Sequence, residues 1–88
     1  MKYKVIYEKK ALKSLSKIDK SQRNIILSWI DKNLVDTDDP KKYGKALKGN
    51  LKEYWRYRIG NYRILADIDD KQIKIIIFNI GHRKDIYN

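Results

Sequence analysis

The chain has 88 residues, no cysteine, and 21 Lys and Arg against 11 Asp and Glu, for a formal charge of +10. Its length points to a single domain, residues 1–88, that buries about 60% of its unfolded surface and has little room for a deep cofactor cavity. The lack of cysteine excludes a disulfide framework and a thiolate metal site. The start, MKYKVIYEKK, has no signal-peptide core, and no window reaches the run of about 20 apolar residues that a membrane span needs. A cytoplasmic protein with a polyanionic partner, nucleic acid or an acidic protein, is the expectation from charge.

Residues 3–7, YKVIY, read as a short strand centred on Val5 and Ile6. Residues 8–18 read as a helix with Ala11, Leu12, Leu15 and Ile18 on one stripe and lysines opposite. Asp19 is placed to cap a second helix, with Gln22 as its capping-box partner. That helix carries Ile25, Ile26, Trp29, Ile30 and Leu34 on an apolar face. The turn between the helices is so short that an antiparallel helical hairpin is expected. Residues 36–52 are irregular, punctuated by Pro40, Gly44 and Gly49 and crowded by Lys41, Lys42, Lys45, Lys48 and Lys52. Three strands follow, near 53–59, 62–69 and 72–80, the last apolar enough to be central and buried on both faces. The expected class is α+β: an N-terminal strand, an α-helical hairpin, then a three-stranded antiparallel meander, β-α-α-β-β-β. The first strand is expected to join the sheet, because Val5 and Ile6 need burial.

The stretch WRYRIGNYR, residues 55–63, carries the most information. Gly60-Asn61 between Ile59 and Tyr62 signals a two-residue hairpin loop of type II′. That turn sets the register: Ile59 opposes Tyr62, Arg58 opposes Arg63, Tyr57 opposes Ile64, Arg56 opposes Leu65 and Trp55 opposes Ala66. Alternation then puts Trp55, Tyr57, Ile59, Tyr62, Ile64, Ala66 and Ile68 on the face toward the helices, and Arg56, Arg58 and Arg63 on the other. Like charges directly opposed in a sheet are destabilising, and Asp67 is two pairs away. A turn near Asp70-Lys71 would put Phe78 beside Arg63 and Ile76 beside Leu65, as an apolar floor under the arginines. After Gly81 the chain would bring His82, Arg83 and Tyr87 within reach of Arg63. Arginine forks suit phosphate and tyrosine rings suit bases, so an RNA-like ligand is one reading. A solvated strand face whose long stems cover apolar floor is the other.

The segments GKALKG (44–49), WRYRIGNYRI (55–64) and GHRKDIY (81–87) resemble the RelE branch of the RelE/ParE superfamily of bacterial toxin–antitoxin toxins, and the likeness in element order covers nearly the whole chain. The resemblance implies a RelE-like fold and a small endoribonuclease that cuts mRNA in the ribosomal A site and stops translation. It implies a catalytic set of Arg56, Arg58, Arg63, Arg83 and Tyr87. Its partners would be the ribosome, mRNA and an acidic, partly disordered RelB-like antitoxin. No metal, small-molecule cofactor or membrane partner is expected.

The implied reaction is attack of a 2′-hydroxyl on the adjacent phosphate, leaving a 2′,3′-cyclic phosphate and a 5′-hydroxyl. It needs a base, an acid and charge stabilisation on the phosphorane. Arginine stays protonated and is unsuited as a base, which turns attention to His82, the only histidine, and to Tyr87. Lys45 and Lys48, just before the arginine strand, and Phe78 are the expected RNA-binding residues. The sequence ends at Asn88, so the expected mode of inhibition is direct blocking of the groove, not displacement of a further C-terminal helix. Two alternatives stay open: a ParE-like, non-nucleolytic inhibitor of DNA gyrase on the same fold, and a binding module without activity.

Overall fold

The computed structural model describes residues 1–47, 54–82 and 84. Strand β1 (Lys4–Tyr7) leads into helices α1 (Lys9–Ser16) and α2 (Lys20–Asn33), followed by strands β2 (Lys45–Ala46), β3 (Tyr54–Ile59), β4 (Tyr62–Asp69) and β5 (Lys74–His82). The strands form one sheet in the order β1-β5-β4-β3-β2. The α+β class and the expected meander are present, as is the joining of the first strand, which pairs with β5 in parallel. The two-residue β2 is an addition to the expected order. It pairs antiparallel with β3, Lys45 opposite Arg56 and Ala46 opposite Trp55, so part of the irregular stretch becomes a sheet edge.

Local chemistry accounts for the helix boundaries. α1 tightens at its end, where the Lys17 amide donates to the Ser14 carbonyl at 3.1 Å and the Ile18 amide to the Leu15 carbonyl at 3.1 Å. Asp19 caps α2: its carboxylate accepts from the Ser21 amide at 3.2 Å and the Ser21 hydroxyl at 2.7 Å. The apolar stripes are narrower than their spacing suggested. Ala11, Leu15, Ile26, Ile30 and Leu34 are buried, whereas Leu12 and Ile25, on the flanks, are 51% and 53% exposed. Among the described residues no helix is long and apolar enough to cross a membrane.

The helices cover one face of the sheet. Tyr57, Ile59, Ile64, Ala66, Ile75, Ile77 and Ile80 form the sheet side of the core, with Trp55 and Tyr62 packed at its margin. Each large apolar side chain so buried contributes roughly 1.5–3 kcal/mol. The Tyr57 hydroxyl lies inside this core and donates to the Pro40 carbonyl at 2.6 Å, which ties the basic loop to the sheet.

The β3–β4 hairpin has the expected register at every pair from Trp55–Ala66 to Ile59–Tyr62. Gly60 takes φ +57° and Asn61 does not turn positive, as a II′ loop requires. The β4–β5 register departs from expectation. Arg63 opposes Gly81, Leu65 opposes Asn79 and Asp67 opposes Ile76, with a bulge between Leu65 and Ala66. Two features cause the shift. The turn is wider than two residues: Asp69 Oδ1 accepts from the amides of Lys71 and Gln72, both at 3.0 Å, and Ile73 sits at φ +58°. The bulge then adds one more residue on β5. Phe78 therefore does not lie beside Arg63 and Ile76 does not lie beside Leu65.

Candidate nucleic-acid interface

The face of the sheet away from the helices carries two like-charged pairs in register. Lys45 opposes Arg56 across β2–β3, and Arg58 opposes Arg63 across β3–β4. Arg58 is exposed; Arg63 is only 4% exposed and is the buried charged side chain among the described residues. Arg63 lies in register between Arg58 on β3 and Gly81 on β5. The expected floor is partly replaced. Leu65 keeps its place, Asn79 follows it, and Phe78 packs on Tyr54 with ring centroids 4.9 Å apart.

Beside Arg56 and Arg58 the loop before β2 closes a cleft of about 330 Å³, lined by Lys42, Tyr43, Gly44, Lys45, Arg56 and Arg58. Four of these six residues are cations and none is a carboxylate. The approach of this loop to β3 depends on Gly44. A Cβ there would collide with the Arg56 carbonyl oxygen and come within 2.6 Å of Trp55 Nε1. The loop is anchored from behind by aromatic packing. Trp29 meets Tyr57 at 5.7 Å and Tyr43 at 6.0 Å, edge-on to the latter. Lys42 Nζ lies 5.4 Å from the Tyr43 ring centroid, while Lys41 turns away to the Trp55 ring, 5.8 Å, and to the Asp70 carboxylate, 3.9 Å. Burial, with Asp39 nearby, raises the Tyr57 hydroxyl far above its ordinary range, so it stays a neutral hydrogen-bond donor.

The structure thus brings together Lys45, Arg56, Arg58 and Arg63. It places His82 elsewhere. His82 opposes Tyr62, whose ring packs toward the helices, and the two rings meet edge-on at 5.5 Å. Strand alternation puts it on the face opposite Arg63, in a second cleft of about 410 Å³ with Ser14, Lys17, Asp19 and Tyr62. Its Nδ1 accepts from the Lys84 amide at 3.2 Å. The shifted β4–β5 register is the reason: with Gly81 opposite Arg63, the next residue must face the other way. Arg83, Tyr87 and Lys48 lie outside the described residues. Lys42 and Tyr43 escape sequence reading because the loop has no periodicity; an aromatic set among lysines is the one signal it offers.

A family model described as the ParE toxin of type II toxin–antitoxin systems matches residues 5–87. The chain is similar to Toxin RelG of Mycobacterium tuberculosis, 39% identical over 49 residues, and that match spans 56% of this chain and 56% of RelG. Its fold is similar to a chain of the toxin–antitoxin complex RelBE2 from Mycobacterium tuberculosis, with a TM-score of 0.83 at 26% identity over 94% of this chain and 100% of that one. It is also similar to a chain of the archaeal RelE–RelB complex from Pyrococcus horikoshii, with a TM-score of 0.75 at 25% identity over 97% and 99% of the two chains.

Proposed function

Because the chain belongs to the ParE toxin family of type II toxin–antitoxin systems, we propose that it acts as its RelE-like relatives are expected to: as a ribosome-dependent mRNA endoribonuclease restrained by an acidic, RelB-like antitoxin. The observation that carries this reading is the cleft built from Lys42, Lys45, Arg56 and Arg58 without a carboxylate, beside the buried Arg63. Like charges held in register cost stability. A polyanionic ligand turns that cost into binding.

In the proposed reaction the RNA 2′-oxygen attacks phosphorus in line with the departing 5′-oxygen. The 2′-hydroxyl proton leaves, the phosphorus–5′-oxygen bond breaks, and the 5′-oxygen takes up a proton. Arg56 and Arg58 hold the flanking phosphates and the phosphorane oxygens with planar, bidentate donors. Arg63, beneath the surface, adds its field where low dielectric makes it strong. The described lining has neither imidazole nor carboxylate, so this part of the site works by positioning and charge stabilisation. Arg83 and Tyr87 keep the roles that the resemblance assigns them, and His82 lies on the other face of the sheet.

The second reading, a gyrase inhibitor, is favoured by the ParE description of the matching family. Expressing the chain and mapping 5′ ends of cellular mRNA, with and without translation, separates the two. In-frame cuts that need translation support the nuclease. DNA damage without such cuts would replace it with the gyrase reading.

A further inference from the structure

Tyr43 is 41% exposed, yet its ring is not loose. Trp29 abuts it edge-on with an interplanar angle of 80°, Trp29 in turn leans on the wholly buried Tyr57, and Tyr57 is hydrogen-bonded to Pro40 in the same loop. On the other side of Tyr43 in the chain, Gly44 holds the backbone against Arg56 and Trp55, and Lys45 enters the sheet opposite Arg56. The ring is thus fixed from both directions along the backbone and faces a cleft whose other side chains are all cationic, with Lys42 Nζ over the ring at 5.4 Å, an ammonium that an incoming base would displace toward its phosphate.

Phosphates or carboxylates need only the cations. An aromatic surface held ready among them suits a ligand that alternates negative charge with flat apolar rings, which is single-stranded nucleic acid. An ordered ring binds a base with little loss of side-chain freedom. We propose that Tyr43 is the platform on which a base of bound single-stranded RNA stacks, while Lys42, Lys45, Arg56 and Arg58 take the flanking phosphates. This rests on the RNA reading above and adds the contact that distinguishes a base-bearing chain from any other polyanion. An acidic peptide in the same cleft would use the cations and leave the ring unused.

The test uses the whole chain and three probes: a short single-stranded RNA, an abasic ribose-phosphate oligomer of the same length, and polyglutamate of matched charge. Fluorescence anisotropy should show base-bearing RNA bound about tenfold more tightly than the abasic oligomer. Tyr43→Leu, which keeps apolar volume against Trp29, should abolish that preference and leave abasic and polyglutamate affinities unchanged. Tyr43→Phe should preserve it. In the unsubstituted protein, base-bearing RNA and not the abasic oligomer should shield Tyr43 from ring nitration by tetranitromethane, read by peptide mass spectrometry; this arm needs no variant to fold. Binding of neither oligomer would overturn both the platform and the RNA reading. Equal binding of the two oligomers, a preference that survives Tyr43→Leu, or nitration unaffected by RNA would overturn the platform alone. Polyglutamate weakened as much as RNA by Tyr43→Leu would assign the ring to shaping the cleft and overturn stacking.

Discussion

Replacing Arg58 with Thr removes an exposed cation that lies in register with a buried one. Ile59 and Tyr62 flank the two-residue turn as the hydrogen-bonded pair, so the next pair, Arg58 and Arg63, is of the closer kind, with Cα atoms about 4.5 Å apart. If the guanidinium groups diverge to about 7 Å, an effective dielectric near 20 puts the bare repulsion near 2.4 kcal/mol. Outward swing of the exposed side chain and counterions reduce this to the roughly 0.2–1 kcal/mol typical of cross-strand pairs. Thr keeps the β preference, so Arg58→Thr should raise stability by that amount, about 1–6 °C in melting temperature for a domain of this size. Urea melts in dilute buffer and in 1 M salt check the cause: the Debye length falls from tens of ångströms to about 3 Å, and the gain should shrink with it. On programmed ribosomes cleavage should fall by a factor on the order of 10²–10³, as for loss of a charge stabiliser. A lower melting temperature with cleavage retained would make Arg58 a structural residue and refute the argument; a gain indifferent to salt would refute its Coulombic part.

Affinity for single-stranded RNA should fall with salt at a slope of about −2.8 in log K against log concentration, from about −0.7 for each of the four cleft cations; Arg56→Ala should flatten it by about 0.7, and a slope near zero would remove these cations from the interface. Gly44→Ala should cost about 1–3 kcal/mol in a denaturant melt and weaken RNA binding, because the obstacles to the new methyl are the Arg56 backbone and the Trp55 ring; wild-type stability would show that the loop has room to move. Burial first, and the Asp31 charge second, push the Tyr7 hydroxyl up to about 12 from 10.0, and burial raises Tyr57 in the same direction. Both must stay protonated in the fold while the unfolded chain ionises near 10, so their contribution is complete below pH 10 and is lost as pH rises through the folded values. Alkaline melts should therefore decline above pH 10, and Tyr7→Phe should reduce that decline; an unchanged alkaline limb would contradict the burial argument.

What could be read from sequence was what local chemistry controls. Gly60-Asn61 between β-prone residues specifies a two-residue turn, and a two-residue turn leaves one register, so every β3–β4 pair followed, including the opposed Arg58 and Arg63. The capping role of Asp19 followed in the same way, from one side chain and the amides just after it. The pairing of β4 with β5 was not local. An isoleucine at φ +58° has no signature in composition, and the Ile73 carbonyl is engaged by the Lys4 amide of β1 at 3.0 Å, a contact across nearly the whole chain. Together with the bulge at Leu65–Ala66 this turn slid Phe78 along the arginine face onto Tyr54, and it sent His82 to the helix side, because side chains alternate along a strand and Gly81 now opposes Arg63. The cleft also needed tertiary structure. Lys42 and Tyr43 meet Arg56 and Arg58 only because Trp29 and Tyr57, from a helix and a strand, hold the loop where Gly44 lets it touch β3. Sequence carried the charges, the order of the main elements and the β3–β4 register; long-range packing decided which charges share a site.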